Sequence, residues 1–166
     1  MNDLGPADVV LTCSGGGHLL QLLALRGSWQ DFSHAWIVEG TPDARSLLRD
    51  EQVVFAYGPM HRDLSNGPHR ILLAWLRNLH LAWRLLGQVR PKVVLTTGAS
   101  TAVPFAWVGR LRGARVVYVE SVTRIEKPSV SCRLIAPVAD RVFVQWPELI
   151  PAVRGARYAG TVLTAE

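Results

Sequence analysis

Short apolar runs rich in β-branched residues alternate along this chain with segments in which apolar residues recur every three or four positions. The first pattern predicts strands at 8–13, 34–38, 52–57, 92–96, 115–119 and 141–144. The second predicts helices near 18–28, 42–50, 68–89, 101–111, 129–138 and 147–153. Runs such as VVLTC, KVVLTT and RVVYVE are almost continuously apolar, as strands are when helices cover both faces of their sheet. A strict β-α alternation of this kind predicts an α/β fold, a Rossmann-like, doubly wound parallel sheet.

Ligands of such sheets bind at the carboxyl ends of the strands. Here those ends read CSGGGH, VEG, YGPMHRD, TTGAST, VESVTR and VQW, and candidate chemistry is sought there. The polar, glycine-bounded stretch 58–67 is the one long loop expected. No internal repeat or low-complexity segment interrupts the pattern.

At 166 residues the chain is expected to form a single domain, 1–166, too short for two Rossmann-like lobes. Apolar residues make up 49% and charged residues 19%, which excludes a disordered chain. The net charge of +5, carried mostly by arginine, favours anionic partners. Cys13 and Cys132 have no metal-ligand spacing and are expected to be reduced thiols in a cytoplasmic protein. The N-terminus has no basic stretch followed by an apolar core, so no signal peptide or N-terminal span is expected.

Ser14, Gly15, Gly16, Gly17 and His18 follow the first strand and open a helix. Glycines allow a tight turn and close backbone approach, and the free N–H groups of a helix start favour an anion such as a diphosphate. A dinucleotide would use Gly15 and Gly17 with Glu39 on a ribose, although Leu20 stands where that fingerprint needs a small residue. No lysine-serine or lysine-threonine pair follows, which excludes a Walker loop. His18 either hydrogen-bonds the turn or acts as a general base, kept neutral by the positive end of the helix. A second glycine turn, TTGAST, brings Gly98, Ala99, Ser100 and Thr101 to the next strand end, where Ser100 or Thr101 could equally cap a helix. Glu120 is expected on the same rim, as a second candidate base or a hydroxyl-binding group.

In the long helix Arg70, Arg77 and Arg84 recur every seven residues with Gln88, and Leu72, Trp75, Leu79, Trp83 and Leu86 are expected opposite. Spanning a bilayer is disfavoured by arginines costing roughly 2.5 to 3.5 kcal/mol each at mid-membrane. Lying in the plane of an anionic headgroup layer suits the pattern better, and a helix buried between the sheet and a partner is the other reading. His61, His69 and His80 lack metal-site spacing, and neither a serine-hydrolase elbow nor a nucleic-acid motif is present.

Through CSGGGHLLQLLAL, TTGASTAVPFAWVGRLRGARVVYVES, PVADRVFVQWPEL and YAGTVL, the chain resembles the PssD-type subunits of bacterial exopolysaccharide glycosyltransferases. These are similar to the membrane-side subunit of the eukaryotic dolichol-pathway N-acetylglucosaminyltransferase and, more distantly, to the N-terminal lobe of MurG. The resemblance implies the acceptor lobe of a two-lobed GT-B transferase divided between two chains, with a PssE-like subunit binding the UDP-sugar. It implies inverting, metal-independent transfer to an undecaprenyl-diphosphate-linked saccharide, with no cofactor and no nucleic acid, by a peripheral protein at the inner face of the cell membrane.

By the same resemblance, His18 is the first candidate base and Glu120 the second, Ser14 to Gly17 face the acceptor's diphosphate with Gly98 to Thr101, the second glycine loop, completing the anion cradle, and Ser121 stands at the acceptor-site rim. Two departures are Gly15, where a second serine is common, and the loop SVTRIEKPS. A non-catalytic membrane anchor that activates the donor-binding subunit is the alternative, and a dinucleotide-binding protein a minor one.

Overall fold

The computed structural model describes residues 4–58 and 68–162, with side chains of the long helix from residue 72 onward. The expected loop at 58–67 therefore falls almost wholly outside the described residues, as do His61 and the side chains of His69 and Arg70. Seven strands form one sheet: β1 (Val9–Cys13), β2 (His34–Glu39), β3 (Val53–Ala56), β4 (Val93–Thr96), β5 (Arg115–Val119), β6 (Arg141–Val144) and β7 (Ala156–Tyr158). Their order is β3-β2-β1-β4-β5-β6-β7 and every pairing is parallel.

The sheet is the predicted one with a strand added. The extra strand, β7, is three residues long and lies at the sheet edge, too short to leave a periodic pattern. The helices are α1 (Gly17–Ala24), α2 (Pro42–Leu47), α3 (Pro68–Val89), α4 (Ala102–Leu111) and α5 (Val130–Ile135), and several stop short of the predicted ends. The segment Pro147–Ala152 is a 3-10 helix, because Pro151 has no N–H to donate to an α-helical ladder.

Residues from β1 and β2 pack on one face against α1 and α2 in a cluster that includes Leu11, Leu19, Leu22, Trp36 and Ala44. The opposite face is the larger core, where Leu85 and Leu86 of α3 and Phe105 of α4 meet Val10, Val94 and Val116. β1 is buried at all five positions, which is why VVLTC carries no polar alternation. The strand order reverses between β1 and β4, paired from Val9↔Val93 to Thr12↔Thr96. Loops leaving these two strands diverge to opposite faces and open a crevice at their carboxyl ends.

Helix α3 corrects the expected division of its faces. Ala82, Leu85, Leu86 and Val89 enter the core, whereas Leu72, Leu79 and Trp83, expected to share one face with Leu86, are exposed. Trp83 lies under the Arg112 guanidinium, 4.2 Å from its ring centre. A polar residue sits on the buried face: Asn78, 2% exposed, donates to the Tyr57 carbonyl at 2.7 Å and accepts from the Tyr57 N–H at 2.9 Å. This amide ties the helix to the end of β3. Asn78→Ala removes both partners and is expected to lower unfolding free energy by about 1 to 3 kcal/mol in urea denaturation; an unchanged midpoint would show that the tie contributes nothing.

Candidate functional site

The glycine turn after β1 is shaped by its neighbours. A Cβ on Gly15 would run into the Thr41 side chain, so a serine there requires Thr41 to move. Gly16 has φ +67°, and its N–H donates to the Asp43 carboxylate at 2.6 Å. The Thr41 hydroxyl and this N–H hold the Asp43 carboxyl below the usual carboxylate range. The Gly16 amide, open to a diphosphate in the sequence, is thus already occupied by an anion of the same chain. Ser14 only donates to the Gly15 carbonyl, at 3.3 Å.

Helix α1 starts at Gly17 with no side-chain cap, and His18 occupies its first turn. Its Nδ1 lies 2.8 Å from the Thr97 carbonyl, and the Thr97 hydroxyl donates to the His18 carbonyl at 2.8 Å. A carbonyl can only accept, so Nδ1 carries a proton, and the tautomer this bond selects for a neutral ring has its lone pair on Nε2. Thus the loop after β4 sets both the orientation and the tautomer of a residue after β1. Gly98 and Ala99 of that loop have φ of 98° and 76°, and a Cβ on Gly98 would lie 3.0 Å from the Tyr118 hydroxyl. Thr101 is buried without a partner for its hydroxyl among the described residues, and it makes no side-chain cap.

Between these loops and β5 lies a cavity of about 290 Å³. Its lining combines His18, Ser100, Ser121, Thr123 and Arg124 with the apolar Trp75, Val103, Val130 and Leu134. The fold therefore brings His18, Ala99, Ser100, Ser121 and Trp75 to one place. Arg77 and Arg84 instead line a separate groove with Phe55 and Tyr57, beside the edge strand β3.

Glu120, expected on the rim, is fully buried beneath it. Its Oε1 accepts from the Tyr118 hydroxyl at 3.0 Å and the Ser121 N–H at 2.8 Å, and its Oε2 accepts from the Ser129 N–H at 2.8 Å. The Ser129 hydroxyl lies 2.9 to 3.0 Å from both oxygens and accepts from the Cys132 N–H, capping α5. In this arrangement the carboxylate meets no solvent and organises the residues on either side of the loop 121–129. Burial first, then the Glu120 charge, raises the Tyr118 hydroxyl and also raises the Cys132 thiol, the latter to about 12. Burial raises the Cys13 thiol as well.

Gln21, inside the first helix, and Gln145, at a strand end, carried no signal in the sequence beyond being polar. Gln21 is buried; its amide donates to the Gly17 carbonyl at 3.1 Å, and its oxygen accepts from the Val122 N–H and the Gln145 amide, both at 2.8 Å. Gln145 also donates to the Glu120 carbonyl at 2.9 Å and accepts from the Val162 N–H at 2.9 Å. Glu39 is buried with its carboxylate packed against Gly58. Among the described residues no group of three or more His, Cys, Asp or Glu could hold a metal ion.

Glu120→Ala leaves several buried donors unmatched and is expected to cost about 2 kcal/mol or more of stability, measured by denaturant unfolding. Cys132 supplies a pH test. Its folded-state value lies above the ordinary thiol value of 9.0, so its contribution is complete below pH 9 and is lost as pH rises toward 12. Wild type should lose more stability than Cys132→Ala between about pH 8 and pH 10, and neither thiol should react with a thiol reagent at neutral pH before unfolding.

Comparison with known proteins matches residues 9–162 to the family described as "Oligosaccharide biosynthesis protein Alg14 like". Relatives named UDP-N-acetylglucosamine transferase subunit include the Schizosaccharomyces pombe protein, 28% identical over 89% of this chain and 79% of its own length. The Eremothecium gossypii protein is 31% identical over 95% and 81%, and the human protein 27% over 93% and 82%. Among solved structures, Acinetobacter baumannii MurG aligns with TM-score 0.71 and 23% identity over 94% of this chain and 46% of its own. A Rickettsia bellii UDP-N-acetylglucosamine 2-epimerase aligns with TM-score 0.66 and 12% identity over 95% and 46%. The chain thus spans just under half of each of these two structures, whose likeness is one of fold. The glycine turn with its histidine, the second glycine turn and the VQW strand end all lie inside the matched span, and this chain belongs to the Alg14-like family of oligosaccharide biosynthesis proteins.

Proposed function

We propose that this protein is the acceptor-binding subunit of a glycosyltransferase that moves a sugar from a UDP-sugar to a lipid-diphosphate-linked saccharide. The observation that carries the reading is His18: a ring held by Thr97 through Nδ1, with a lone pair on Nε2, in a hydroxyl-lined cavity at the switch point of the sheet. An acceptor hydroxyl in this cavity gives its proton to Nε2 as its oxygen bonds to C1 of the sugar. The C1–phosphate bond breaks and UDP departs with the electron pair, inverting C1. Glu120, closed off beneath the cavity, holds its walls and takes no proton in this scheme.

In this reading a donor-binding partner, PssE-like by the resemblance, supplies the other half of a two-lobed transferase. The relatives' names favour UDP-N-acetylglucosamine as the first donor to test, and exopolysaccharide or capsule synthesis as a setting draws on the resemblance to PssD-type subunits.

A second reading, a membrane anchor that activates its partner, is favoured by the outward face of α3. Leu72, Leu73, Leu76, Leu79 and Trp83 are each at least 37% exposed. Among the described residues no helix is long and apolar enough to cross a membrane. This face suits the headgroup layer at the inner membrane surface, with Arg77 and Arg112 beside anionic lipids.

Two measurements separate the readings. In the complex with the donor-binding chain, His18→Ala should reduce sugar transfer about 100-fold or more with folding intact; near-normal turnover would leave the anchor. Replacing Leu76, Leu79 and Trp83 by serine should abolish flotation with anionic vesicles, and wild-type binding should weaken with salt. Vesicle binding unaffected by the triple change would remove α3 from the membrane contact.

A further inference from the structure

The cavity that holds His18 has a mixed lining: Ser100, Ser121, Thr123 and Arg124 share it with the apolar Trp75, Val130 and Leu134. Its apolar members reach the surface, since Val130 is 71% and Leu134 45% exposed, and Leu72 and Leu79, both exposed, flank Trp75 by one turn of α3 in either direction. A cation and hydroxyl-bearing residues in one cavity with surface-reaching apolar residues match an amphiphile with a phosphate head and a hydrocarbon chain.

Arg124 is exposed, but the turn that carries it is firmly built. The Val122 N–H donates to Gln21 at 2.8 Å and the Val122 carbonyl accepts from the Trp146 indole at 2.6 Å. The Arg124 N–H closes the turn on the Ser121 carbonyl at 2.9 Å, and the Ser121 and Thr123 hydroxyls are 3.0 Å apart. Among the described residues no carboxylate lies within ion-pair distance of the Arg124 guanidinium, and none lines the cavity. In the first of the two glycine turns offered by the sequence, the Gly16 N–H is already held by Asp43. A diphosphate placed there would meet that carboxylate, whereas at Arg124 it meets a positive charge.

We infer that Arg124, on the turn 121–124, seats the diphosphate of a prenyl-diphosphate-type ligand, with the first part of the hydrocarbon chain against Trp75, Val130 and Leu134. This rests on the reading of the cavity as the acceptor site and names the residue that recognises the acceptor's head group, one absent from the glycine turns.

The test uses the full chain with geranyl diphosphate, inorganic pyrophosphate and geraniol, followed by titration calorimetry and amide chemical shifts. Geranyl diphosphate should bind more tightly than either other probe and shift the amides of 121–124. Arg124→Ala should weaken both diphosphates about tenfold or more, with Arg124→Lys retaining part of the affinity because a lysine keeps the charge without the fork. Trp75→Ala should weaken geranyl diphosphate and leave pyrophosphate unchanged, which separates the lipid from a free phosphate. Wild-type affinity in Arg124→Ala, shifts confined to 15–18, or no binding by wild type would overturn the assignment, and equal affinity for pyrophosphate and geranyl diphosphate would overturn the apolar half of it. In the complex with the donor chain, Arg124→Ala should raise the acceptor KM about tenfold and leave the donor KM unmoved. A wild-type complex that transfers no sugar while Arg124-dependent binding persists would remove the transferase reading and leave the diphosphate site standing.

Discussion

The carboxyl ends of β1 and β4 are joined by two reciprocal hydrogen bonds between His18 and Thr97, and the candidate site depends on that link. Neighbouring strands that send their loops to opposite faces leave a gap, and in many doubly wound sheets the gap is filled by ligand alone. Here the chain spans it. One bond fixes the imidazole tautomer and the other holds the peptide that carries it, so ring and backbone are positioned together. A histidine elsewhere on α1 would have neither partner.

A second layer of polar contacts lies under the first. Glu120 is a fully buried acid surrounded by N–H and O–H donors, an arrangement that satisfies a carboxylate without an ion pair. It joins the end of β5 to the N-cap of α5, and Gln21 with Gln145 joins α1 to the ends of β5 and β6. Each amide uses both its donor and its acceptor. The 121–129 wall of the cavity is therefore held from below, and the exposed Arg124 stands on a hydrogen-bonded turn.

Helix α3 serves two environments. Its core face carries alanine and aliphatic side chains with one amide that closes the end of β3, and its outer face carries leucines and a tryptophan. Both faces contain leucine, and for that reason the heptad spacing of the arginines mixed them in the sequence. Trp75 falls between the faces and joins the wall of the site.

The sequence by itself determined the parallel α/β sheet, six of its seven strands and the two glycine turns, because each follows from local rules: continuous apolar runs, helical periodicity and glycine at strand ends. It also pointed to His18, through a histidine set on the first turn of a helix. Tertiary structure alone decided which strand ends become neighbours, and with that the meeting of His18 and Thr97, 79 residues apart, and of Gln21 and Gln145, 124 apart. It also decided that Glu120 lies under the rim, since exposure depends on what covers a residue. The same holds for Asp43 on the Gly16 amide and for Arg124 in the cavity: charge is written in the sequence, but the distance at which one charge meets another is set by the packing of the chain.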